Sequence, residues 1–168
     1  FVGVGDNGNI LRSTDNGTNW DNATSGITTE IKGVTFGNNT FVGVGSGGKI
    51  VRSMDNRSSW DNATSPITTN IPGVTFGNNT FVAVGASGNI VRSTDNGSSF
   101  DNVTSVNSQY LYGITFGNNT FVAVGTSGKI VRSTGNASSW DNATSGISQY
   151  LLGITFGNNT FVAVGTAG

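Results

Sequence analysis

The residues best suited to chemistry in this chain recur at a fixed spacing and do not converge. Arg12, Arg52, Arg92 and Arg132 stand 40 residues apart, and Asp21, Asp61, Asp101 and Asp141 keep the same period, each one residue past an aromatic ring. Arginines can hold a ligand carboxylate through bidentate hydrogen bonds, and two placed carboxylates can hydrolyse a glycoside. Groups at the same position of every repeat do not meet at one off-axis ligand, so an Arg–Asp pairing within or between repeats is the better account. Glu30 is the only glutamate, and no other carboxylate is singled out as its catalytic companion. The chain has no His and no Cys, which excludes disulfides, thiolate or imidazole metal sites, and catalysis by either side chain. No cofactor or metal is implied.

The elements that position these residues follow from the repeat. The pattern FVxVG begins at residues 1, 41, 81, 121 and 161. Residues 1–168 therefore read as a single repeat domain with units beginning at 1, 41, 81 and 121 and a partial fifth copy at 161–168. A regular period of this length sets the architecture before any other consideration. Composition agrees: 26 Gly and only 10% charged residues suit short strands joined by tight turns, since Gly and Asn tolerate positive φ. No stretch carries the apolar spacing of an amphipathic helix. The net charge of −1 with unclustered Lys and Arg argues against a nucleic-acid partner. The lack of an 18-residue apolar run argues against insertion in a membrane as a helix.

One repeat reads as four strands. Leu111–Phe116, Thr120–Val124, Lys129–Ser133 and Trp140–Thr144 are separated by turn signals at residues 117–119, 125–128 and 134–139, which points to an up-and-down antiparallel sheet. The second strand is apolar on both faces, with Phe121 and Ala123 on one and Val122 and Val124 on the other. Both faces must be covered, as when twisted sheets stack radially about an axis. The expected fold is an all-β β-propeller of 40-residue, four-stranded antiparallel blades, with four blades' worth and one extra strand per chain. A β-solenoid is the runner-up. The small residue at positions 3, 43, 83, 123 and 163 is expected near a crowded axis.

The turn between the third and fourth strands carries the most specific motif. Its copies are Ser13-Thr14-Asp15-Asn16-Gly17-Thr18-Asn19-Trp20, then Ser53-Met54-Asp55-Asn56-Arg57-Ser58-Ser59-Trp60, then Ser93-Thr94-Asp95-Asn96-Gly97-Ser98-Ser99-Phe100, and last Ser133-Thr134-Gly135-Asn136-Ala137-Ser138-Ser139-Trp140. This resembles the Asp-box, S/T-x-D-x-G-x-x-W/F, of BNR-type propellers, among them sialidases, sorting-receptor ectodomains and photosystem-assembly-factor-like propellers. The resemblance implies a structural role: hydroxyl and carboxylate oxygens accept backbone N–H groups, Gly takes positive φ, and the ring packs on the blade. Arg57, Gly135 and Ala137 depart from the pattern, so the second and fourth turns are expected to be looser. The sialidase Tyr–Glu nucleophile pair has no counterpart here.

Two further patterns have plain readings. The Asp-Asn-Gly turns match no EF-hand calcium loop and read as turns. Three Asn-x-Ser/Thr sequons per repeat, such as Asn16, Asn22 and Asn38, read as turn and strand residues of a bacterial protein. Comparison of the copies gives the functional clue. Phe-Gly-Asn-Asn-Thr-Phe is identical in all four, whereas the interblade segments at 26–32, 66–72, 106–112 and 146–152 diverge. Those segments share one face with the second-to-third turns, and loops on a rigid scaffold are where binding resides. Tyr110 and Tyr150, with Tyr112 beside them and Gln109 and Gln149 as hydrogen-bonding partners, are the candidate ligand-binding residues for a glycan or protein ligand. The expected function is a non-catalytic binding or scaffold module, secreted or surface-exposed. The alternative is a purely structural repeat protein, or a fragment of a longer array, with no ligand of its own; a glycosidase is least favoured. Unpaired blade edges at both ends lead to a homo-oligomer as a further expectation, a dimer closing one eight-bladed ring head to tail.

Overall fold

A computed structural model describes residues 1–54 and 58–166. Among these residues, antiparallel strands form five small sheets, each meandering in chain order. The first blade holds β1 (Val2–Val4), β2 (Ile10–Arg12) and β3 (Asp21–Ala23). The second holds β4 (Ile31–Gly37), β5 (Thr40–Gly45), β6 (Ile50–Ser53) and β7 (Asp61–Asn62). The third runs through β8 (Gly73–Gly77), β9 (Thr80–Val84), β10 (Ile90–Ser93) and β11 (Asp101–Val103), and the fourth through β12 (Leu111–Gly117), β13 (Thr120–Gly125), β14 (Ile130–Thr134) and β15 (Asp141–Ala143). A terminal hairpin, β16 (Leu151–Gly157) with β17 (Thr160–Gly165), closes the series. The first strands β4, β8, β12 and β16 pack side by side, so the sheets fan outward from them as an arc of blades.

Local chemistry explains each strand reversal. The hairpin between the first and second strands turns on two consecutive Asn residues, both at positive φ: 44° and 59° at Asn38 and Asn39, with near-equal values in the later copies. Two left-handed residues in a two-residue loop match the twist of the flanking strands, and Asn tolerates them better than any other side chain. The second and third strands are joined by a single 3-10 turn such as Thr126–Gly128.

The second strand is the core, and both of its faces are covered. Phe81, Val82 and Ala83 are 0% exposed. Val82 and Val84 pack with Val131, Ala137 and Trp140 of the fourth blade, while Phe81 and Ala83 pack with Val42, Val44 and Ile50 of the second. The placement of the small residue differs from expectation. The first strands, not the second, are innermost, and there Gly33 and Gly73 make the close approach: a Cβ would lie 2.9 Å from the Pro72 carbonyl oxygen and 3.0 Å from that of Tyr112. Gly43, on the second strand, instead faces Val51 and Ile31 of its own blade.

The expected Arg–Asp pairing is also corrected. Register sets Arg12 opposite Asp21, Arg52 opposite Asp61, Arg92 opposite Asp101 and Arg132 opposite Asp141. Yet among the described residues the ion pair found is Lys32–Glu30. Arg52 Nη1 donates to the carbonyl of Asn96 at 3.5 Å, and Arg92 Nη1 to that of Asn136 at 3.1 Å. These two arginines thus reach the third-to-fourth turn of the following blade. The aspartates sit exposed, where an ion pair is worth little, whereas the turn carbonyl gains a charged donor.

Those turns are built by side chains. Ser13 Oγ donates to Asp15 Oδ1 at 2.8 Å, and Oδ1 also accepts the Asn19 N–H at 2.9 Å. Gly17, at φ +86°, donates its N–H to Ser13 Oγ. The third blade repeats the arrangement with Ser93, Asp95, Gly97 and Ser99. The Asn19 backbone N–H, then the Asn19 and Ser13 side chains, hold Asp15 at about 2 against its ordinary 3.8. Partial burial opposes ionisation of Asp95, but hydrogen bonds from Ser99, Ser93 and Ser98 outweigh it and again hold it at about 2. Asp55 lies outside the described residues. The fourth turn has Gly135 in place of the carboxylate, so Ser133 Oγ finds only the Thr134 carbonyl at 3.5 Å. Ala137 occupies the glycine position there at φ +60°, a conformation that costs a residue with Cβ about 1–2 kcal/mol. Trp60, Phe100 and Trp140 are nearly buried at 6%, 3% and 3%, while Trp20 of the first blade is 44% exposed.

Two outcomes follow. Phe81→Ala removes a fully buried ring packed between its own blade and the second and should cost about 3–5 kcal/mol in urea unfolding; a loss under about 1 kcal/mol would contradict this core assignment. Asp15 and Asp95 titrate lower when folded, so their stabilisation is complete above 3.8 and is lost as pH falls towards about 2. The Asp15→Asn, Asp95→Asn double variant should be less stable near neutral pH and lose less than the wild type across that acid interval; parallel stability curves would contradict it.

Candidate functional site

The face opposite the Asp-Asn-Gly turns is where the copies differ, and its backbone is fixed by repeated contacts. Each interblade loop ends at Glu30, Asn70, Tyr110 or Tyr150, just before a first strand. Their carbonyl oxygens accept the N–H of Ser46, Ala86, Thr126 and Thr166 at 2.9, 3.0, 2.9 and 2.9 Å. The approach is so close that a Cβ on Gly45, Gly85, Gly125 or Gly165 would collide with the same carbonyls. One backbone frame therefore presents four different side chains.

The position two residues further on is variable too, and a register slip sets it apart in three of the four copies. Pairing skips one residue between Ile31 and Gly33, between Leu111 and Gly113, and between Leu151 and Gly153, leaving Lys32, Tyr112 and Leu152 as bulged residues. A bulge re-aims a side chain away from the regular pleat. In the third blade Pro72 holds this place; without an N–H it cannot join the ladder, and β8 begins only at Gly73.

Three of the residues proposed from sequence come together. The rings of Tyr110 and Tyr112 stack with centroids 4.6 Å apart and planes 26° from parallel, and Tyr112 meets Tyr150 at 6.4 Å. Tyr110 and Tyr112 are half-buried, while Tyr150 is 48% exposed. Tyr150 lines a 410 Å³ cavity with Gln149, Leu151 and Val164. The glutamines are already partly engaged. Gln109 Oε1 accepts the Thr126 hydroxyl at 2.9 Å, and Gln149 Oε1 accepts the Ser148 N–H at 3.2 Å. Their Nε2 groups are the donors left for a ligand. The arrangement offers flat apolar surface and hydrogen-bond donors, which suits binding.

At the corresponding positions of the second blade stand Lys32, which sequence reasoning passed over, and Glu30, which it weighed only as a lone carboxylate and not as part of this face. They form an ion pair, and Ser46 Oγ donates to Glu30 at 3.3 Å. The Lys32 ammonium, with help from Ser46, holds Glu30 below its ordinary value. The signal was positional, since these residues align with Tyr110 and Tyr112. Apart from Asp55, which lies outside the described residues, the third-to-fourth turn residues named from sequence lie at the other end of the strands, among them Ser53, which is buried.

No protein-family model matches this chain, and no curated protein matches it. Solved structures do. YCF48 bound to D1 peptide superposes with a TM-score of 0.74 at 17% identity, covering 98% of this chain and 56% of that one. YCF48 from Cyanidioschyzon merolae gives 0.70 at 18% identity, covering 94% and 56%. An ancestral GH74 enzyme gives 0.68 at 22% identity, covering 85% of this chain and 22% of the enzyme. The chain thus spans a little over half the length of the YCF48 proteins it resembles. Identities this low carry the fold and not the activity: the chain is an all-β β-propeller arc of four-stranded blades.

Proposed function

We propose that the chain is a non-catalytic binding module whose ligand is an extended peptide, held on the loop face by Tyr110, Tyr112 and Tyr150. The tyrosine cluster carries this reading. Stacked, partly buried rings cost little conformational entropy on binding, and Tyr is among the residues that dominate binding energy at interfaces. Support comes from the YCF48 structure, which holds a peptide on a propeller of the same fold. A glycan is the alternative ligand, since exposed rings with amide donors also suit sugars. The third-to-fourth turns are assigned to the Asp-box type on the strength of the Ser13–Asp15–Gly17 and Ser93–Asp95–Gly97 hydrogen bonds.

Glycoside hydrolysis is the less favoured reading despite the GH74 likeness. It requires a raised-pKa acid beside a second carboxylate. Glu30 is instead ion-paired and held low, and the two strongly shifted aspartates are consumed as turn acceptors.

The test is selection from a random 12-residue peptide library, with a glycan array in parallel. Selected peptides should bind the wild type and lose roughly tenfold or more in affinity to Tyr110→Ala, Tyr150→Ala. Selection of equal binders by that variant would remove the site. Enrichment on the glycan array alone would replace peptide with sugar as the ligand class.

A further inference from the structure

The loop face around the tyrosine cluster has most of its hydrogen-bond acceptors engaged and its amide donors free. Gln109 Oε1 accepts the Thr126 hydroxyl at 2.9 Å, and Gln149 Oε1 accepts the Ser148 N–H at 3.2 Å. Asn107 Oδ1 accepts the Gln109 N–H at 2.7 Å. The carbonyls of Tyr110, Gln149 and Tyr150 accept the N–H groups of Thr126, Gly128 and Thr166. By contrast, among the described residues neither Gln109 Nε2 nor Gln149 Nε2 has a partner, and both residues are exposed. The tyrosine hydroxyls can donate as well. Charge is missing too: segments 106–112 and 146–152 hold no Asp, Glu, Lys or Arg, whereas the second blade sets the Glu30–Lys32 ion pair at the same positions.

Such a surface selects among peptides. An ordinary extended strand brings a backbone N–H with nearly every carbonyl, and a donor buried without an acceptor is penalised. An ionised side chain finds no counter-charge in these two segments. We infer that the ligand is a proline-rich segment bound as a polyproline II helix, which rests on the peptide-binding reading above. Proline has no backbone N–H, so a run of it presents carbonyl acceptors and apolar rings and almost no donors. Polyproline II has no internal hydrogen bonds and leaves those carbonyls to solvent or to a partner. The free glutamine amides are the donors that answer them. A sugar hydroxyl, by comparison, brings a donor with every acceptor.

The rings suit the same ligand. Proline-rich helices dock on aromatic-lined grooves, because they are already formed and lose little entropy on binding. Tyr110 and Tyr112, 4.6 Å apart and 26° from parallel, make one flat wall, while Tyr112 and Tyr150 stand wider at 6.4 Å and 35°. Pyrrolidine rings can lie against both arrangements. The register slip between Leu111 and Gly113 supplies the middle ring, and an amide precedes each outer one, Gln109 before Tyr110 and Gln149 before Tyr150. The cluster is centred on β12, which has another first strand on either side, β8 and β16.

The experiment is fluorescence anisotropy with fluorescein-labelled decaproline, and a Gly-Ser decamer as control, on the full chain and on Gln109→Glu, Gln149→Glu and Tyr112→Ala. Each glutamate keeps the oxygen that Thr126 or Ser148 bonds to and replaces only the free donor by a second acceptor. Both glutamines are exposed, and circular dichroism of each variant checks that the sheet is retained. The wild type should bind decaproline and not the control, and each substitution should weaken that binding roughly tenfold or more. Decaproline binding that the glutamate variants leave unchanged would overturn the inference. So would decaproline that fails to bind. In that case tyrosine-dependent library binders without proline would leave the peptide-binding reading standing, and the lack of any tyrosine-dependent binder would remove both.

Discussion

Double-sided burial of the second strand is the constraint on which the rest of this structure depends. A sheet with Phe81 and Ala83 on one face and Val82 and Val84 on the other cannot stand beside water on either side. At roughly 25 cal/mol per Å² of apolar surface, exposing one such strand forfeits several kcal/mol, a large part of the stability of a small domain. Neighbouring blades are therefore part of each blade's core. Close stacking of the first strands follows, and with it Gly33 and Gly73 where backbone meets backbone. The arginines follow too: their guanidinium groups reach across to the next blade because that blade is held close enough to be reached.

The two faces of the arc divide the work. One is spanned by Asn-Asn hairpins and side-chain-built turns, whose oxygens and left-handed residues leave little freedom for substitution. The other is framed by glycines set against the carbonyls of residues 30, 70, 110 and 150. That frame fixes the backbone and leaves the side chains free to vary, so the same scaffold shows an ion pair in one blade and stacked tyrosines in another. Variation on a fixed frame is how repeat proteins acquire binding surfaces.

Much of this was legible in the sequence because turn chemistry and alternation are local. The strand expected at Leu111–Phe116 is observed as Leu111–Gly117, and that at Thr120–Val124 as Thr120–Gly125. The strand expected from Trp140 starts at Asp141, because the ring leaves the ladder to pack into the groove between blades. What sequence could not show was set by the neighbouring blade. The arginine partner is a carbonyl 44 residues away in an adjacent sheet, which no spacing within a repeat reveals. Tyr112 joins Tyr110 because the register slips at Gly113, and the innermost position of the first strand depends on how sheets cross at the axis.

Amide hydrogen exchange, resolved strand by strand, tests the central claim most directly. If blades share their cores, the amides of β5, β9 and β13 should exchange last and together, at the rate of global unfolding, with β7, β11 and β15 opening earlier. Distinct protection for each blade, or outer strands as slow as the second strands, would show instead that each sheet is stable without its neighbours and would contradict the account.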